Sequence, residues 1–335
     1  MSSLGRFPTE LVLAIAKLLR LNDLNSLLRA NHRFAYILTP LIHDFARHDK
    51  DGLPAICWAA KQGHSPLVRL LLNLPPPLQT TPPTADLYKT PLIYAAERGD
   101  KHTIQLLLTK GANINQVCTP TSGTALTNAI KCGNIAIARL LLRHGADPNV
   151  WDGCARDLAA RFSGTALHVA AAQEPANEVW VEMLLENGAE VNARDQHRRT
   201  ALHIACMRES DPCVVVKQLL RAGIDINAFC EQHQTALWVA VFRRNEELVK
   251  LLLDSGANTS IRNNVGSSVL HMAVHYTWGD ITKVLLEAGA DIAAKNRDGL
   301  NSFEIAKASR CPPIMKMLSE YSARKQREKL HGLGK

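Results

Sequence analysis

The sequence predicts an all-α solenoid of about eight helix–loop–helix repeats, preceded by a small three-helix segment. Three observations support this prediction. Nearly identical stretches recur, such as GTALHVA at 164–170, TALHIA at 200–205 and QTALWVA at 234–240. Their spacing keeps returning to a period of 33 residues, and each is followed by a leucine-rich stretch that ends in glycine. Such a period is typical of a stacked array, whose terminal repeats are expected to be degenerate.

Eight anchor positions define the repeats, with successive spacings of 36, 34, 41, 35, 35, 33 and 33 residues. An alanine stands five residues after every anchor, which predicts a close approach between neighbouring helices where a larger side chain would overpack. The repeats are expected to start near residues 52, 88, 122, 163, 198, 233, 266 and 299. The anchors are Pro54, Thr90, Thr124, Thr165, Thr200, Thr235, Ser268 and Asn301.

Each repeat is expected to contain two helices. A threonine or serine at the anchor can cap the first helix. Segments such as LLLTKGANIN (106–115) and VLLEAGADIA (284–293) place apolar residues over two turns, which predicts a second helix with one buried stripe. A left-handed residue is expected where this second helix ends. The glycines at that position are Gly111, Gly145, Gly188, Gly223, Gly256 and Gly289.

The repeated pattern T-P/A-L-H-x-A followed by LL-x-x-GA-x-x-N resembles the ankyrin repeat over residues 51–321. His168, His203 and His271 share one register, on separate repeats rather than in one converging cluster. The resemblance implies that these histidines tie one repeat to the next by hydrogen bonds and have no catalytic role.

Residues 1–48 do not fit the repeat and are expected to form three short helices. The string FPTELVLAIAKLL…DLNSLL…NHRFAYIL resembles an F-box, although Phe7, Ala30 and Phe34 replace the usual leucine, valine and tryptophan. An F-box preceding ankyrin repeats is a common fungal arrangement. A helical cap that only shields the first repeat is the alternative. The resemblance implies contacts with a ubiquitin-ligase adaptor through Pro8, Leu11, Ile15, Leu24, Leu27 and Phe34.

A target protein is expected to bind the ends of the first helices and the insertions, on a surface centred on repeats 4 to 6. The loops around 171–179 and 206–214 are longer than in other repeats, as is the turn before repeat 4. Insertions in repeat arrays often serve the binding face, and aromatic and arginine side chains are frequent interface anchors. The predicted residues are Trp151, Arg156, Phe162, Met207, Arg208, Phe242, Arg243, His275 and Tyr276.

Composition excludes several other classes of protein. The net charge is +8, but residues 51–321 carry 27 Lys/Arg against 26 Asp/Glu, which argues against a nucleic-acid-binding body. Eight cysteines show no C-x₂-C spacing and are expected to be free thiols, and no cofactor or metal is predicted. Neither a membrane-spanning run nor a signal-peptide layout is seen, so we expect a cytoplasmic or nuclear location.

Nothing in the sequence resembles a catalytic motif, which predicts a non-enzymatic protein without a small-molecule substrate. The leading hypothesis is a substrate receptor of an SCF-type ubiquitin ligase, whose partners are the ligase adaptor and an unidentified target protein. The alternative is a plain ankyrin scaffold. Residues 74–86 are interpreted as a stiff proline-rich linker, and 322–335 as a basic C-terminal tail.

Overall fold

A computed structural model of the protein describes residues 55–73, 89–118, 123–152, 164–173 and 178–332. The F-box-like segment with its six predicted adaptor contacts, the proline-rich linker, Arg156 and Phe162 all lie outside these ranges. The described helices are α1 (Ala55–Gln62), α2 (Ser65–Leu72), α3 (Pro91–Arg98), α4 (Lys101–Thr109), α5 (Ala125–Lys131), α6 (Ile135–Arg143), α7 (Ala166–Ala172), α8 (Glu178–Glu186), α9 (Ala201–Cys206), α10 (Cys213–Arg221), α11 (Ala236–Phe242), α12 (Glu246–Asp254), α13 (Val269–His275), α14 (Gly279–Glu287), α15 (Ser302–Ala308) and α16 (Pro312–Gly332).

The predicted helix–loop–helix repeat is confirmed, and the described residues show isolated β-bridges but no strand. Odd-numbered helices are the first helices of the repeats, and even-numbered helices are the second. The chain divides into one compact part that ends at Ala166 and another that starts at Leu167. Within each part, first helices pack on the first helices of neighbouring repeats, and second helices pack on second helices. The core therefore lies between two layers of helices.

Six anchor residues are the N-caps of their first helices, as the sequence predicts: Thr90, Thr124, Thr200, Thr235, Ser268 and Asn301. The Thr90 hydroxyl accepts a hydrogen bond from the Ile93 N–H at 3.2 Å. In the last repeat Asn301 and Glu304 form a reciprocal capping box, with N···O distances of 2.9 and 2.7 Å. Each cap satisfies backbone N–H groups that have no partner inside the helix. The repeated anchor residue therefore determines where the first helix of a repeat begins.

The predicted small contact position and the predicted helix-ending glycines are both confirmed. The alanine five residues after the anchor is buried in every repeat, with at most 2% of its surface exposed. At Gly111 the backbone has φ = 80°, and a Cβ placed there would meet nothing within 4 Å. Glycine is therefore favoured at this helix end by backbone conformation alone.

The three histidines of the repeated motif join adjacent repeats. His203 Nε2 donates to the Gln234 carbonyl of the next repeat at 3.0 Å, and its Nδ1 accepts from the Thr200 N–H at 3.2 Å. His168 Nε2 donates to the Arg199 carbonyl at 3.0 Å, and His271 Nε2 donates to the Ala294 carbonyl at 2.9 Å, each in the turn that precedes the next first helix. Burial lowers the pKa of His203 to about 4, so the ring is neutral at pH 7. The expected structural role is confirmed.

A second row of ties connects the turns that follow the second helices. In each tie an asparagine side-chain oxygen accepts from a backbone N–H of the next repeat, at 2.8 or 2.9 Å. Each tie crosses only one repeat boundary. The donor–acceptor pairs are Asp147–Asn115, Asp225–Asn192 and Asn258–Asn227.

One loop and the last helix depart from the regular repeat. Residues 207–212 separate α9 from α10, whereas 243–245 suffice between α11 and α12, which confirms the longer loop predicted in repeat 5. At the other end, α16 continues to Gly332, so the basic segment predicted as a tail from residue 322 is helical. Ile314 and Leu318 are buried near the start of this helix, whereas all of residues 322–328 are exposed.

Candidate partner-binding surface

The predicted target-binding residues that the structure describes are divided between the two parts of the chain. Trp151 lies in the part of the chain that ends at Ala166, with 47% of its surface exposed. The other six belong to the part that starts at Leu167 and follow α9, α11 and α13 or end these helices. They are Met207, Arg208, Phe242, Arg243, His275 and Tyr276.

In the part of the chain that starts at Leu167, Phe242 and Tyr276 are the predicted residues that present large aromatic surfaces to solvent. Phe242 ends α11 with 59% of its surface exposed, and Tyr276 follows α13 with 51% exposed. The Tyr276 ring stacks on Trp278 at a centroid distance of 4.9 Å and meets the edge of His275 at 5.0 Å. These stacked rings hold Tyr276 in place, which lowers the entropy cost of using it as a contact.

Both aromatic residues line one groove, whose volume is about 760 Å³. The first helices of repeats 6 to 8 form one wall, and the turns before repeats 7 and 8 form the other. Most of its lining is apolar, and Asp298 is the lining residue with a carboxylate. The groove residues are Gln234, Trp238, Phe242, Asn263, Val265, Ser267, His271, Met272, His275, Tyr276, Asn296, Asp298, Leu300, Ile305, Ala308 and Ser309.

The expectation that Arg208 is an exposed anchor is wrong. Only 7% of its surface is exposed, and its guanidinium donates to the Ala171 carbonyl at 3.3 Å and to the Ser210 hydroxyl at 2.8 Å. Arg208 and Ser210 both belong to the long loop between α9 and α10. Arg208 therefore satisfies the end of the preceding first helix, where carbonyls lack intrahelical partners.

Arg243 repeats this arrangement one repeat later, because its guanidinium donates to the Met207 carbonyl. Arg98, at the same position of repeat 2, donates to the Lys61 carbonyl at 3.5 Å. This register thus supplies a structural tie wherever it holds arginine. Arg243 remains exposed, next to the groove residue Phe242 in the chain.

Backbone strain accumulates in the loops beside the groove. The position nine residues after the anchor is left-handed in repeats 1, 2 and 3, where glycine occupies it. The last three repeats carry larger residues in this position: Arg244 has φ = 55°, Thr277 has φ = 58° and Arg310 has φ = 49°. A left-handed non-glycine residue costs on the order of 1 kcal/mol, and such strain is concentrated at functional sites in many proteins.

Val265 and Leu300 are groove residues that the sequence prediction missed. They have 58% and 38% of their surface exposed, in turns that precede α13 and α15. A signal was present in the sequence, since one position before the anchor most repeats have glycine or a polar residue, where repeat 8 has Leu300. Exposed large apolar side chains that adjoin a groove mark an interaction surface.

Two of the described cysteines, Cys57 and Cys206, are buried and have raised thiol pKa values. Burial raises the pKa of the Cys57 thiol to about 12, and the neighbouring Cys118 adds to this effect. Burial also raises the pKa of Cys206 far above its usual range, so both thiols are poor nucleophiles.

Within the described ranges no three His, Cys, Asp or Glu side chains converge as a metal site. None of the described helices has the length and apolar character needed to cross a membrane.

The repeat geometry, the caps and the exposed groove define an interaction domain of stacked helical repeats. A family model described as ankyrin repeats in three copies matches residues 24–118, 57–152, 118–195, 167–263 and 237–329. The chain therefore belongs to the ankyrin-repeat family. Ankyrin repeats are non-catalytic domains that mediate binding to protein partners.

Curated relatives match short stretches of the chain. The 2-5A-dependent ribonuclease of Mus musculus is 49% identical over 59 residues, which is 17% of this chain and 8% of that protein. The ankyrin repeat and KH domain-containing protein mask-1 of Caenorhabditis elegans is 43% identical over 60 residues, or 18% of this chain and 2% of that protein. The matched stretches thus span less than a tenth of either relative.

A solved structure extends the likeness over most of the chain. The crystal structure of the ankyrin repeat domain of Bcl-3, described as a member of the IkappaB protein family, aligns with a TM-score of 0.60. The sequence identity is 27%, and the alignment covers 70% of this chain and 99% of that one.

Proposed function

We propose that this protein is a non-enzymatic receptor that holds a protein partner in the groove of repeats 6 to 8. The observation that carries the proposal is the exposure of Phe242 and Tyr276 on one apolar groove. Aromatic side chains in such a setting are the usual centres of binding energy in protein interfaces. The strained loops beside the groove and the rigid Tyr276–Trp278 stack support the same assignment.

A photo-crosslinking experiment tests the groove. A benzophenone amino acid is placed at Phe242 or at Tyr276, with Val179 on the outer helix α8 as the matched exposed control. We expect a shared set of adducts from the two groove positions and their absence from the control. The same probe at Trp151 tests whether that predicted residue contacts the same partner. Identical adducts at Val179 and in the groove would contradict the proposal.

The finer proposal is a substrate receptor of an SCF-type ubiquitin ligase, acting in the cytoplasm or nucleus. It is supported by the F-box-like string of residues 1–48, in which Pro8, Leu11 and Ile15 occupy the motif positions. The N-terminal segment would bind the ligase adaptor, and the groove would hold the target within reach of the transferring subunits. Its mechanism is proximity, which raises the effective concentration of the target.

A plain ankyrin scaffold is the second candidate, and one observation favours it. The first match to the ankyrin-repeat model begins at residue 24, inside the segment that resembles an F-box. Under this proposal the N-terminal helices would be a cap for the array. Capping segments with a polar outer face are a regular requirement of repeat proteins.

A pull-down of the ligase adaptor separates the two candidates. The wild-type chain is compared with a Pro8→Ala/Leu11→Ala variant and with a Phe242→Ala/Tyr276→Ala variant. The receptor proposal expects adaptor capture by the wild type and by the groove variant, with loss in the N-terminal variant. If the wild type captures no adaptor, the scaffold is the better description.

A further inference from the structure

The turns that precede the first helices of repeats 5 to 8 form a continuous row. We call this the finger row, and it comprises residues 193–199, 228–234, 261–267 and 294–300. Backbone hydrogen bonds join each finger to the next: Glu231 N–H to the His197 carbonyl at 3.0 Å and Asn264 N–H to the Gln232 carbonyl at 3.2 Å. The last two fingers also form one wall of the groove. Any segment seated in the groove therefore lies against the fingers of repeats 7 and 8, and the other two fingers extend the row beyond the groove.

Positive charge is concentrated on this row. Its four fingers hold six Lys/Arg and three Asp/Glu, whereas the other residues between 193 and 321 hold ten against eleven. One pair is internal, because buried Asp195 accepts from Arg199 Nε at 2.7 Å. Without this pair, the finger row has five exposed cations and two exposed carboxylates. The cations are Arg194, Arg198, Arg262, Lys295 and Arg297, and the carboxylates are Glu231 and Asp298.

The two exposed arginines of the first finger are held against the second finger. The Arg194 and Arg198 guanidinium carbons lie 5.8 and 5.7 Å from the centre of the Phe229 ring. His233 stacks on the same ring at 4.7 Å, with the two planes 10° apart. Arg198 and His233 also adopt left-handed backbones, with φ of 60° and 54°. A guanidinium fixed in this way loses little entropy when it binds a carboxylate, and its geometry suits bidentate contacts.

Resting on the function proposed above, we infer that the partner segment of this groove is an acidic peptide with large apolar side chains. Its carboxylates bind the arginines of the finger row, and its aromatic or aliphatic side chains contact Phe242, Tyr276 and Val265. Complementary charge fixes the register and speeds encounter, and the apolar groove supplies most of the binding energy.

A peptide suits this surface better than a nucleic acid does. The carboxylates of Glu231 and Asp298 interrupt the finger row, and a phosphate backbone passing along it would meet both. Outside the fingers the repeats carry no excess of cations, whereas nucleic-acid-binding surfaces depend on a broad positive field. The aliphatic lining contributed by Val265 and Leu300 gives a base no hydrogen-bond partner.

A peptide selection on the full chain tests the inference. A displayed library of random dodecapeptides is enriched on the wild type and counter-selected on Phe242→Ala/Tyr276→Ala. We expect peptides rich in Asp and Glu together with aromatic or large aliphatic residues, with affinity lowered at least about tenfold by the groove variant. Labelled homopolymeric RNA and DNA are measured alongside.

The charge arm of the test uses Arg198→Gly/Arg297→Ser. Glycine at position 198 relieves the left-handed strain, so weaker binding by this variant reports lost charge and not lost folding. We expect about a fivefold to tenfold loss of affinity at about 0.1 M NaCl that largely disappears at about 1 M. The control Arg221→Ser removes an exposed cation from the end of α10 and should leave affinity unchanged.

The outcomes separate this inference from the function it rests on. Groove-dependent peptides with no acidic excess, or with affinity unaffected by the finger variant, overturn the inference and leave the receptor proposal standing. Failure to recover any groove-dependent peptide also overturns it, while the crosslinking experiment judges the receptor proposal on its own. Binding of RNA or DNA that the finger variant abolishes reassigns the row to nucleic acid.

Discussion

Lowering the pH from 7 to 5 should weaken the link between repeats 5 and 6 through protonation of His203. The ring is buried, donates from Nε2 to the Gln234 carbonyl and accepts at Nδ1 from the Thr200 N–H. A second proton can only go to Nδ1, where it would destroy the bond from Thr200 and place a charge in the core. The pKa of His203 is accordingly lowered to about 4 in the fold, chiefly by burial.

The direction of the effect follows from this lowered pKa. Below about pH 6.5 the unfolded chain binds a proton at His203 that the folded chain does not, so stability falls as the pH falls. The contribution is complete above about pH 6.5 and is lost as the pH approaches about 4. The full loss is about 3 kcal/mol, of which about 2 kcal/mol is lost by pH 5. Burial lowers the pKa values of His168 and His271 as well, and they add to the same slope.

A His203→Thr variant isolates the contribution of His203 to the pH dependence of stability. Repeat 3 carries Thr127 at the equivalent position, where its hydroxyl accepts from the Thr124 N–H at 3.0 Å and keeps the cap. Urea unfolding followed by circular dichroism at pH 7, 6, 5 and 4.5 gives the free energy of unfolding of both proteins. The variant should be less stable at pH 7, and its deficit should shrink by about 2 kcal/mol at pH 5. A deficit that stays constant from pH 7 to pH 5 refutes the reasoning.

Three further predictions concern packing, backbone strain and thiol chemistry. Ala205→Leu should lower the free energy of unfolding by about 1–3 kcal/mol in urea titrations, because the side chain is fully buried between helices. Thr277→Gly should raise it by about 1 kcal/mol, and the reciprocal Gly133→Thr should lower it similarly. Ellman's reagent should modify exposed Cys132 in the folded protein and spare Cys206 until urea unfolds it, as mass spectrometry of the adducts would show.

Each of these predictions has a contradicting result. An Ala205→Leu variant as stable as the wild type would mean that the helices do not approach closely at this position. Equal stability of Thr277→Gly and the wild type would remove the argument from backbone strain. Modification of Cys206 at the rate of Cys132 in the folded state would show that the repeat opens readily.

Sequence reasoning succeeded where the determining contacts are local. Thr90 caps its helix through an N–H three residues away, and Gly111 ends a helix through its own backbone angle, so both are visible in a single repeat. The exposed groove depends instead on how fingers and helices of several repeats meet. Its location in repeats 6 to 8 therefore required the structure, although the sequence did identify Phe242 and Tyr276.

Arg208 shows why the remaining residues could not be placed from the sequence. It occupies the same register as Arg243, and the letters around it give no sign that one is buried and the other exposed. The two arginines stand in loops of different length, since residues 207–212 separate α9 from α10 and 243–245 separate α11 from α12. Arg208 and Arg243 both tie their repeat to the preceding one, and Arg208, in the longer loop, is the one that is buried.

The ties between repeats have a mechanical consequence. His203 reaches only repeat 6, and the asparagine pairs of the turns likewise reach only the next turn. Under tension along the C-terminal part of the chain, none of these ties shares the load across distant repeats, so the structure yields one repeat at a time. Each repeat of 33 residues that unravels adds roughly 110 Å of extended chain. One repeat can therefore unfold while its neighbours stay folded and keep a partner bound.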